Sequence, residues 1–236
     1  QKPKFSISAL TGGKFTSEIA TYFSDQIPLR NVFVGTKAVV EIALQKQEND
    51  DVLLGSDGYL IPKNDHPDYD RAEKNIKAIN RFFETLNTSS DSSLSIDMQV
   101  AVAGRPQDVL TRYIPSIYPA EHYTNRIFTG ICGELTTPSI DLLTPLTARA
   151  DAGEYVYYRT DHHWTTLGAY YAYCEIMKSF GMEPYPIEHF TREIVSEEFY
   201  GTTWSKAGMK WIKPDEMEYF RWDGDTDMAT EITDTG

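Results

Sequence analysis

The sequence lacks the features that would mark a membrane-spanning, zinc-binding or nucleic-acid-binding protein. No apolar run approaches the roughly 20 residues that a helix needs to cross a bilayer. Only two of the 236 residues are cysteine, and they do not form a Cys-x-x-Cys pair, so no structural zinc site is predicted. Basic residues number 22 against 35 acidic ones, and the net charge of -13 would repel nucleic acids and anionic lipids.

The cysteines and the first residue bear on where the protein works. Cys132 and Cys174 lie far apart in the sequence, so a disulfide and two free buried thiols are both open, and we adopt the free thiols. The chain begins with Gln1 rather than Met, which indicates that it was processed or cut. We therefore allow for a signal peptide or a membrane anchor upstream of residue 1.

Hydrophobic patterning predicts a single domain over residues 1–236, with helices and short apolar strands in alternation, which is typical of the α/β class. Apolar residues at 3.6-residue spacing predict a helix over residues 69–86. The same spacing predicts another over residues 165–180, with Gly181 as its natural stop.

Strand signals are fewer and more local. The segment "DVLLGSDGYLIPK" predicts a β-hairpin with strands Val52–Leu54 and Tyr59–Ile61, because Asp-Gly between apolar runs favours a tight turn. Residues 94–104 read as a buried strand, and "SIDLLTPLTAR" as a short strand followed by a turn. Residues 223–236 are acidic and nearly free of large apolar side chains, which predicts a mobile tail.

The stretch "YVYYRTDHHWTTLGAYYAY" places an acid, two adjacent histidines and a tryptophan between an extended segment and a helix. In a purely structural interpretation, Asp161 or Thr160 caps the helix that starts at Thr165, because short side chains with oxygen atoms accept hydrogen bonds from the free N–H groups there. Such a cap explains the acid but leaves the two histidines without a role.

A metal site is the second interpretation of this motif. Aspartate and histidine are common ligands, and "DHH" is also a motif of manganese-dependent phosphoesterases, but those enzymes need further aspartates at separate strand ends. The candidates here are in "DYD" at residues 68–70, which falls at a predicted helix start. We therefore predict no metal and no cofactor.

General acid–base chemistry is the third interpretation. Asp161 and His163 are separated by one residue in a loop, so the carboxylate would reach the imidazole, fix its tautomer and stabilise its charged form. This role would also need a nucleophile from elsewhere in the protein.

The motif resembles the signature of the DHHW protein family, and its Asp-x-His-Trp core is similar to that of the SGNH-hydrolase-like proteins of alginate O-acetylation. Three further stretches resemble the family in the same order: "TYFSDQIPLRN", "DVLLGSDGYLIPK" and "EEFYGTTWSKAG". The four stretches together span residues 21–208.

This resemblance implies an SGNH-hydrolase-like three-layer α/β/α sandwich with a mostly parallel sheet. It also implies a bacterial protein that is secreted or anchored in the cell envelope, an esterase or O-acyltransferase acting on a polysaccharide or a small acylated substrate. Asp161 and His163 would be the acid and base of a Ser-His-Asp triad. Apart from the resemblance, we assign His162, Trp164 and Arg159 to substrate binding from their place beside the motif, and a surface salt bridge is the alternative for Arg159.

The nucleophile is the missing part of this expectation. In the related acetylation proteins the serine follows the Asp-x-His motif, in an Asp-Ser turn after an apolar strand. The serines after His163 are Ser179, Ser196 and Ser205, and none follows an apolar strand that ends in Asp. We therefore expect the nucleophile beyond Gly236, a sheet incomplete at its C-terminal end, and an inactive chain on its own. The alternative is a non-catalytic module that binds glycan or protein.

Overall fold

The computed structural model describes residues 3–25, 30–63, 68–89, 97–118 and 133–222, and these residues form an α/β fold. The expected class is therefore confirmed. The helices are α1 Ile7–Thr11, α2 Lys14–Asp25, α3 Arg30–Ala43, α4 Tyr69–Ser89, α5 Pro106–Val109, α6 Leu143–Asp151, α7 Thr166–Ser179 and α8 Thr202–Ala207. The strands are β1 Glu48–Asn49, β2 Val52–Leu54, β3 Leu60–Pro62, β4 Val100–Val102, β5 Ser139–Asp141, β6 Phe190–Phe199 and β7 Asp215–Trp222.

The strands form small sheets instead of one large parallel sheet. β1, β2 and β3 form an antiparallel sheet in that order, β6 and β7 form an antiparallel ribbon, and β4 pairs with β5 in parallel. Among the described residues the mostly parallel sheet of the expected sandwich is thus represented by β4 and β5 alone. A tight turn can join only antiparallel strands, so the tight turn between β2 and β3 makes this pair antiparallel and not part of a parallel sheet.

The β2–β3 hairpin is buried on both faces, which makes it the wall between two apolar clusters. Leu53 and Ile61 point to one side and Val52 and Leu60 to the other, as the two-residue period of a strand requires. The first cluster contains Leu53, Tyr59, Ile61, Val109, Leu110, Tyr113, Ile140, Leu142, Leu146, Ala150, Val156, Tyr157 and Ala172. The second contains Ala38, Val52, Leu60, Ala207, Met209 and Ile212.

Elements with strong local signals lie where the sequence predicts them, except that the second hairpin strand is Leu60–Pro62 and not Tyr59–Ile61. The hairpin turn contains Asp57 and Gly58 with φ of 55° and 79°, a left-handed conformation that Gly adopts at no steric cost. The helix predicted over residues 69–86 is α4, and the helix after the motif, α7, is followed by Gly181 at φ 67°. The strand predicted over residues 94–104 is reduced to β4, and residues 94–96 lie outside the described part of the chain. The prediction that this strand is buried is wrong, because the residues of β4 are half-buried or exposed.

Two predictions at the C-terminal half are corrected. The turn expected after β5 is helix α6, whose Leu146 and Ala150 face the first apolar cluster. The sequence after Gly181 shows no clear strand pattern, yet β6 and β7 form a long ribbon there. Its mostly exposed side chains give no apolar–polar alternation to detect. The tail at 223–236 lies outside the described residues, as does Cys132, while Cys174 is a free, partly exposed thiol.

Membrane-spanning segments were sought among the described helices. None of them combines the length and the apolar character needed to cross a bilayer.

The start of α7 provides a test of this packing. A Cβ at Gly168 would lie 2.2 Å from the carbonyl oxygen of Val156, so Gly168→Ala must displace the backbone that carries the motif. Overpacking costs about 1–3 kcal/mol, which exceeds the roughly 1 kcal/mol that Ala gains over Gly in a helix. We expect Gly168→Ala to lower the free energy of unfolding, measured by urea denaturation, by about 1–2 kcal/mol.

Gly133→Ala is the matched control, because no atom of the described residues lies within 4 Å of a Cβ built there. Equal stability of the two variants would contradict the close approach of α7 to the backbone at Val156.

Candidate functional site

The motif lies at the tip of a short loop that doubles back on itself. The Tyr158 N–H donates to the His163 carbonyl at 3.2 Å, and the Thr165 N–H donates to the Val156 carbonyl at 3.0 Å. Helix α7 begins directly after this loop, and its cap is Thr165, whose hydroxyl oxygen accepts from the Gly168 N–H at 3.1 Å. The interpretation in which Asp161 or Thr160 caps this helix is therefore wrong.

Asp161 instead caps another helix. Its Oδ2 accepts hydrogen bonds from the Thr202 N–H at 2.7 Å and from the Thr202 hydroxyl at 2.9 Å, at the first residue of α8. The short α8 provides no capping side chain of its own, since Gly201 precedes it. Asp161 therefore ties the motif loop to a segment about 40 residues later in the chain.

The other oxygen of Asp161 orients His163. Asp161 Oδ1 lies 2.5 Å from His163 Nδ1 and accepts from the His163 N–H at 3.1 Å. An ionised carboxylate can only accept, so the imidazole carries its proton on Nδ1 and the neutral ring leaves the Nε2 lone pair free. The His163 side chain is 67% exposed while Asp161 is 4% exposed, so an anchored acid holds a base that solutes can reach.

The Asp161 carboxyl stays ionised in spite of its burial. Burial alone would raise its pKa, but hydrogen bonds from the Thr202 backbone, the His163 ring and the Thr202 hydroxyl outweigh this effect, and the pKa of Asp161 lies below its usual value. Such a carboxylate stabilises a protonated imidazole, which is what a base needs in the moment after it accepts a proton.

His162 has the same tautomer as His163, for a different reason. Its Nδ1 lies 3.0 Å from the Thr202 hydroxyl oxygen, and the single proton of that hydroxyl is already directed to Asp161 Oδ2. The hydroxyl must therefore accept from His162 Nδ1–H, which leaves His162 Nε2 as an acceptor when the ring is neutral. The two rings lie with centroids 3.9 Å apart, and the His162 side chain is 49% exposed.

Asp215 fixes the near side of the motif loop. It is 1% exposed and accepts from the Thr160 N–H at 2.8 Å, the Thr160 hydroxyl at 2.6 Å and the Arg159 N–H at 3.2 Å, and from the Tyr155 hydroxyl. Burial together with this hydrogen bond raises the pKa of Tyr155. Asp215 thus positions the residue that directly precedes Asp161.

The residue before Thr202 must be glycine. A Cβ at Gly201 would lie 2.3 Å from Asp161 Cβ and 2.4 Å from Asp161 Oδ2. The Gly201 N–H also donates to the Thr160 hydroxyl oxygen at 3.0 Å. Sequence reasoning missed Gly201, Thr202 and Asp215 as parts of the site. The signal for the first two was the family-like stretch "EEFYGTTWSKAG", whereas Asp215 has no local signature.

The side chains of Arg159 and Trp164 contact residues of the surrounding fold. The Arg159 guanidinium lies 4.6 Å from the Tyr155 ring centroid, and its Nε donates to the Asp57 carbonyl at 3.1 Å, in the hairpin turn. Trp164 packs against the first apolar cluster. Their expected part in substrate binding therefore stays a prediction, while His162 shares the exposed surface of His163.

Asp161, His162 and His163 also bring potential metal-ligand atoms within 4.8 Å of one another. In both histidine rings Nδ1 carries a proton and donates it in a hydrogen bond, to Thr202 in His162 and to Asp161 in His163. A cation bound through Nδ1 would have to displace that proton.

No serine in the described part of the chain hydrogen-bonds to His163. The three serines after the motif have local partners. Ser179 donates to the Ile176 carbonyl at 2.7 Å, and Ser205 to the Gly201 carbonyl at 3.3 Å. Ser196 accepts from the Glu198 N–H at 3.2 Å.

Comparison with known proteins finds a family profile and two curated relatives similar to this chain. The profile of a family described as "DHHW protein" matches residues 145–218, which contain the motif loop, Thr202 and Asp215. The probable alginate O-acetylase AlgJ of Pseudomonas fluorescens is 21% identical over 175 residues, covering 73% of this chain and 44% of that protein. Its counterpart in Pseudomonas syringae pv. tomato is 25% identical over 171 residues, covering 70% and 43%.

Solved structures share the fold. A DHHW family protein from Eubacterium siraeum has a TM-score of 0.57 at 23% identity, covering 73% of this chain and 55% of that one. Bacillus cereus PatB1 with a sulfonyl adduct has a TM-score of 0.56 at 17% identity, covering 73% and 56%. The O-acetyltransferase domain of Pseudomonas putida AlgJ has a TM-score of 0.54 at 21% identity, covering 73% and 66%.

These comparisons confirm the resemblance to the DHHW family and the α/β fold. The chain spans less than half the length of the curated relatives it matches.

The Thr202 hydroxyl offers a direct test of the Asp161 environment. Thr202→Val removes the hydrogen bond from the Thr202 hydroxyl to Asp161 and keeps the one from the Thr202 N–H. The pKa of Asp161 should therefore rise towards its usual value, which NMR of its carboxyl carbon would measure. A carboxylate with a depressed pKa stabilises the fold above its unfolded pKa and loses that contribution as pH falls through the folded pKa. Acid unfolding of Thr202→Val should therefore begin at a higher pH.

Thr202→Ser keeps the hydroxyl and serves as the control, with an Asp161 titration close to that of the unmodified protein. If Thr202→Val titrated like Thr202→Ser, the hydroxyl would have no part in holding Asp161 ionised.

Proposed function

We propose that this chain carries the acid–base half of an O-acyltransferase or esterase that acts on a cell-envelope or exported polysaccharide. The observation that supports this most directly is the buried, ionised Asp161 at 2.5 Å from Nδ1 of an exposed His163. An oriented imidazole with a free Nε2 is the base that serine acyl transfer needs. The likeness to proteins named as alginate O-acetylase AlgJ favours acetyl as the acyl group.

In the first half-reaction, His163 Nε2 takes the proton from a serine hydroxyl as its oxygen attacks the carbonyl carbon of the acyl donor. The resulting imidazolium is stabilised by Asp161. When the tetrahedral intermediate collapses, the bond to the leaving group breaks, the leaving group takes the proton from His163, and an acyl-serine remains.

In the second half-reaction, a hydroxyl of the acceptor glycan attacks the acyl-serine. His163 Nε2 accepts the proton of that hydroxyl and returns it to the serine oxygen as the ester bond to serine breaks. Water in place of the glycan would give hydrolysis instead. The same base therefore serves the transferase and the esterase, and the acceptor that occupies the site decides between them.

The serine itself is proposed to come from outside the described residues, because the serines after the motif have other partners. We further propose that β4 and β5 belong to the mostly parallel sheet of an SGNH-like three-layer sandwich, with its other strands also outside the described residues. Neither a metal nor a cofactor enters this scheme. A cell-envelope or secreted location follows from the polysaccharide substrate.

A non-catalytic glycan-binding or protein-binding module is the second candidate. It is favoured by one observation, namely that no described serine contacts His163. A covalent label separates the candidates: full-length protein that reacts with a fluorophosphonate probe contains an activated nucleophile, and unreactive protein favours the binding module.

The catalytic assignment predicts the effect of removing the base. In the full-length protein that contains this chain, His163→Ala should lower kcat/KM for acetyl transfer from p-nitrophenyl acetate by about 1,000-fold or more, because loss of a triad base removes nearly all covalent catalysis. Asp161→Asn should cost roughly 100- to 10,000-fold, since the ring would lose its oriented tautomer.

His189→Ala is the matched control, because the His189 ring contacts Tyr185 and no member of the site. It should keep the unmodified rate. Turnover that survives His163→Ala would contradict the proposed function, whatever the behaviour of the control.

A further inference from the structure

The hydrogen bond to Asp161 holds the His163 ring at one edge only. His163 Nδ1 lies 2.5 Å from Asp161 Oδ1, while the His163 side chain is 67% exposed. The torsion that turns an imidazole about its Cβ–Cγ bond has a broad energy minimum, so one hydrogen bond does not fix the plane of the ring. A swing of the ring about Nδ1 would keep this hydrogen bond and move Nε2, the atom that has to reach the proton of a nucleophile.

The ring of His162 lies against the ring of His163. Their centroids are 3.9 Å apart and their planes meet at 38°. Neighbouring side chains point to opposite sides of an extended chain, so the two rings can meet only because the chain bends over residues 159–163. In the part of the chain that the structure describes, His162 is the one ring that packs on His163.

His162 is itself anchored, on the side away from His163. Its Nδ1 lies 3.0 Å from the Thr202 hydroxyl oxygen, and this hydroxyl donates to Asp161 Oδ2 at 2.9 Å. The Thr202 N–H, at the first residue of α8, donates to the same carboxylate oxygen. The contacts therefore form a closed circuit through Asp161, His163, His162 and Thr202. Within this circuit the His163 ring is held at its edge by a hydrogen bond and at its face by a second ring.

We propose that His162 is a positioning residue, whose ring fixes the plane of the His163 ring and so directs Nε2 at the nucleophile. The inference rests on the proposed function, since it takes His163 as the base. Asp161 selects the tautomer of His163, and His162 selects its orientation. A misplacement of about 1 Å can cost roughly 100-fold in rate. Loss of one of the two contacts that hold the ring should cost less, about tenfold in kcat.

Two substitutions of His162 separate its ring from its hydrogen bond, with kcat and KM for p-nitrophenyl acetate measured in the full-length protein that contains this chain. His162→Asn keeps an N–H donor for the Thr202 hydroxyl and loses the ring. It should lower kcat about tenfold with little change in KM, because no substrate contact is removed. His162→Phe keeps a ring and loses the donor, and its kcat should stay within about threefold of the unmodified value.

The order of the His163 ring provides a readout that does not depend on turnover. In protein labelled with ¹³C in its histidines, relaxation of the Cε1–H bond of His163 reports how far the ring swings. His162→Asn should lower this order parameter and leave His163 protonated at Nδ1, because Asp161 still accepts from that atom. His162→Phe should keep both the order and the tautomer.

His189→Ala is the control, because the His189 ring lies against Tyr185 and not against a member of the circuit, and it should keep the unmodified kcat. Four results would overturn the proposal: His162→Asn keeps kcat, it raises KM alone, it leaves the His163 ring equally ordered, or His162→Phe loses as much kcat as His162→Asn. Failure of the proposed function is a separate result, since His163→Ala would then keep its turnover.

Discussion

The carboxylate of Asp161 is the contact on which the site depends. Through one oxygen it holds the first turn of α8, and through the other it holds the ring of His163. Both halves of this bridge need the acid to be ionised, and the donors around it outweigh the cost of its burial. A helix start, a loop and a base are thereby fixed by a single side chain.

The acid and the two histidines of the motif lie in different environments, and this gives them different roles. Asp161 is buried, whereas the two histidines that follow it are exposed and share one tautomer, because the Thr202 hydroxyl and the Asp161 carboxylate each accept a hydrogen bond from an Nδ1–H group. One imidazole is directed by an ionised acid and suits proton transfer. The other is directed by a neutral hydroxyl and is half-exposed.

The sequence predicts the parts of this picture that depend on local chemistry. The Asp57-Gly58 turn, the stripe of α4 and the stop at Gly181 follow from backbone preference and periodicity, and the pairing of Asp161 with His163 follows from their spacing. Contacts between distant segments are not predicted. Asp215 sits at the start of an exposed ribbon with no alternation, and nothing near it in the sequence points to Thr160.

The cap assignment shows the same limit. The chemistry of an acid at a helix start is right, but the helix is α8 and not α7, because Thr165 already caps α7 and leaves Asp161 free to turn the other way. Periodicity identifies helices one at a time and does not state which loop meets which helix. That residues 1–236 form a single domain stays a prediction.

The tautomer of His163 tests most directly whether Asp161 orients this ring for proton transfer. In protein labelled with ¹⁵N in its imidazoles, long-range ¹H–¹⁵N correlation at neutral pH distinguishes a protonated nitrogen from one with a free lone pair. Because Asp161 accepts from Nδ1, we expect a neutral His163 to be protonated at Nδ1 and unprotonated at Nε2, and Asp161→Asn to lose this preference. A neutral His163 protonated at Nε2 would contradict it, because Nε2 would then have no lone pair to receive a proton from a nucleophile, and the remaining lone pair on Nδ1 would face the Asp161 carboxylate.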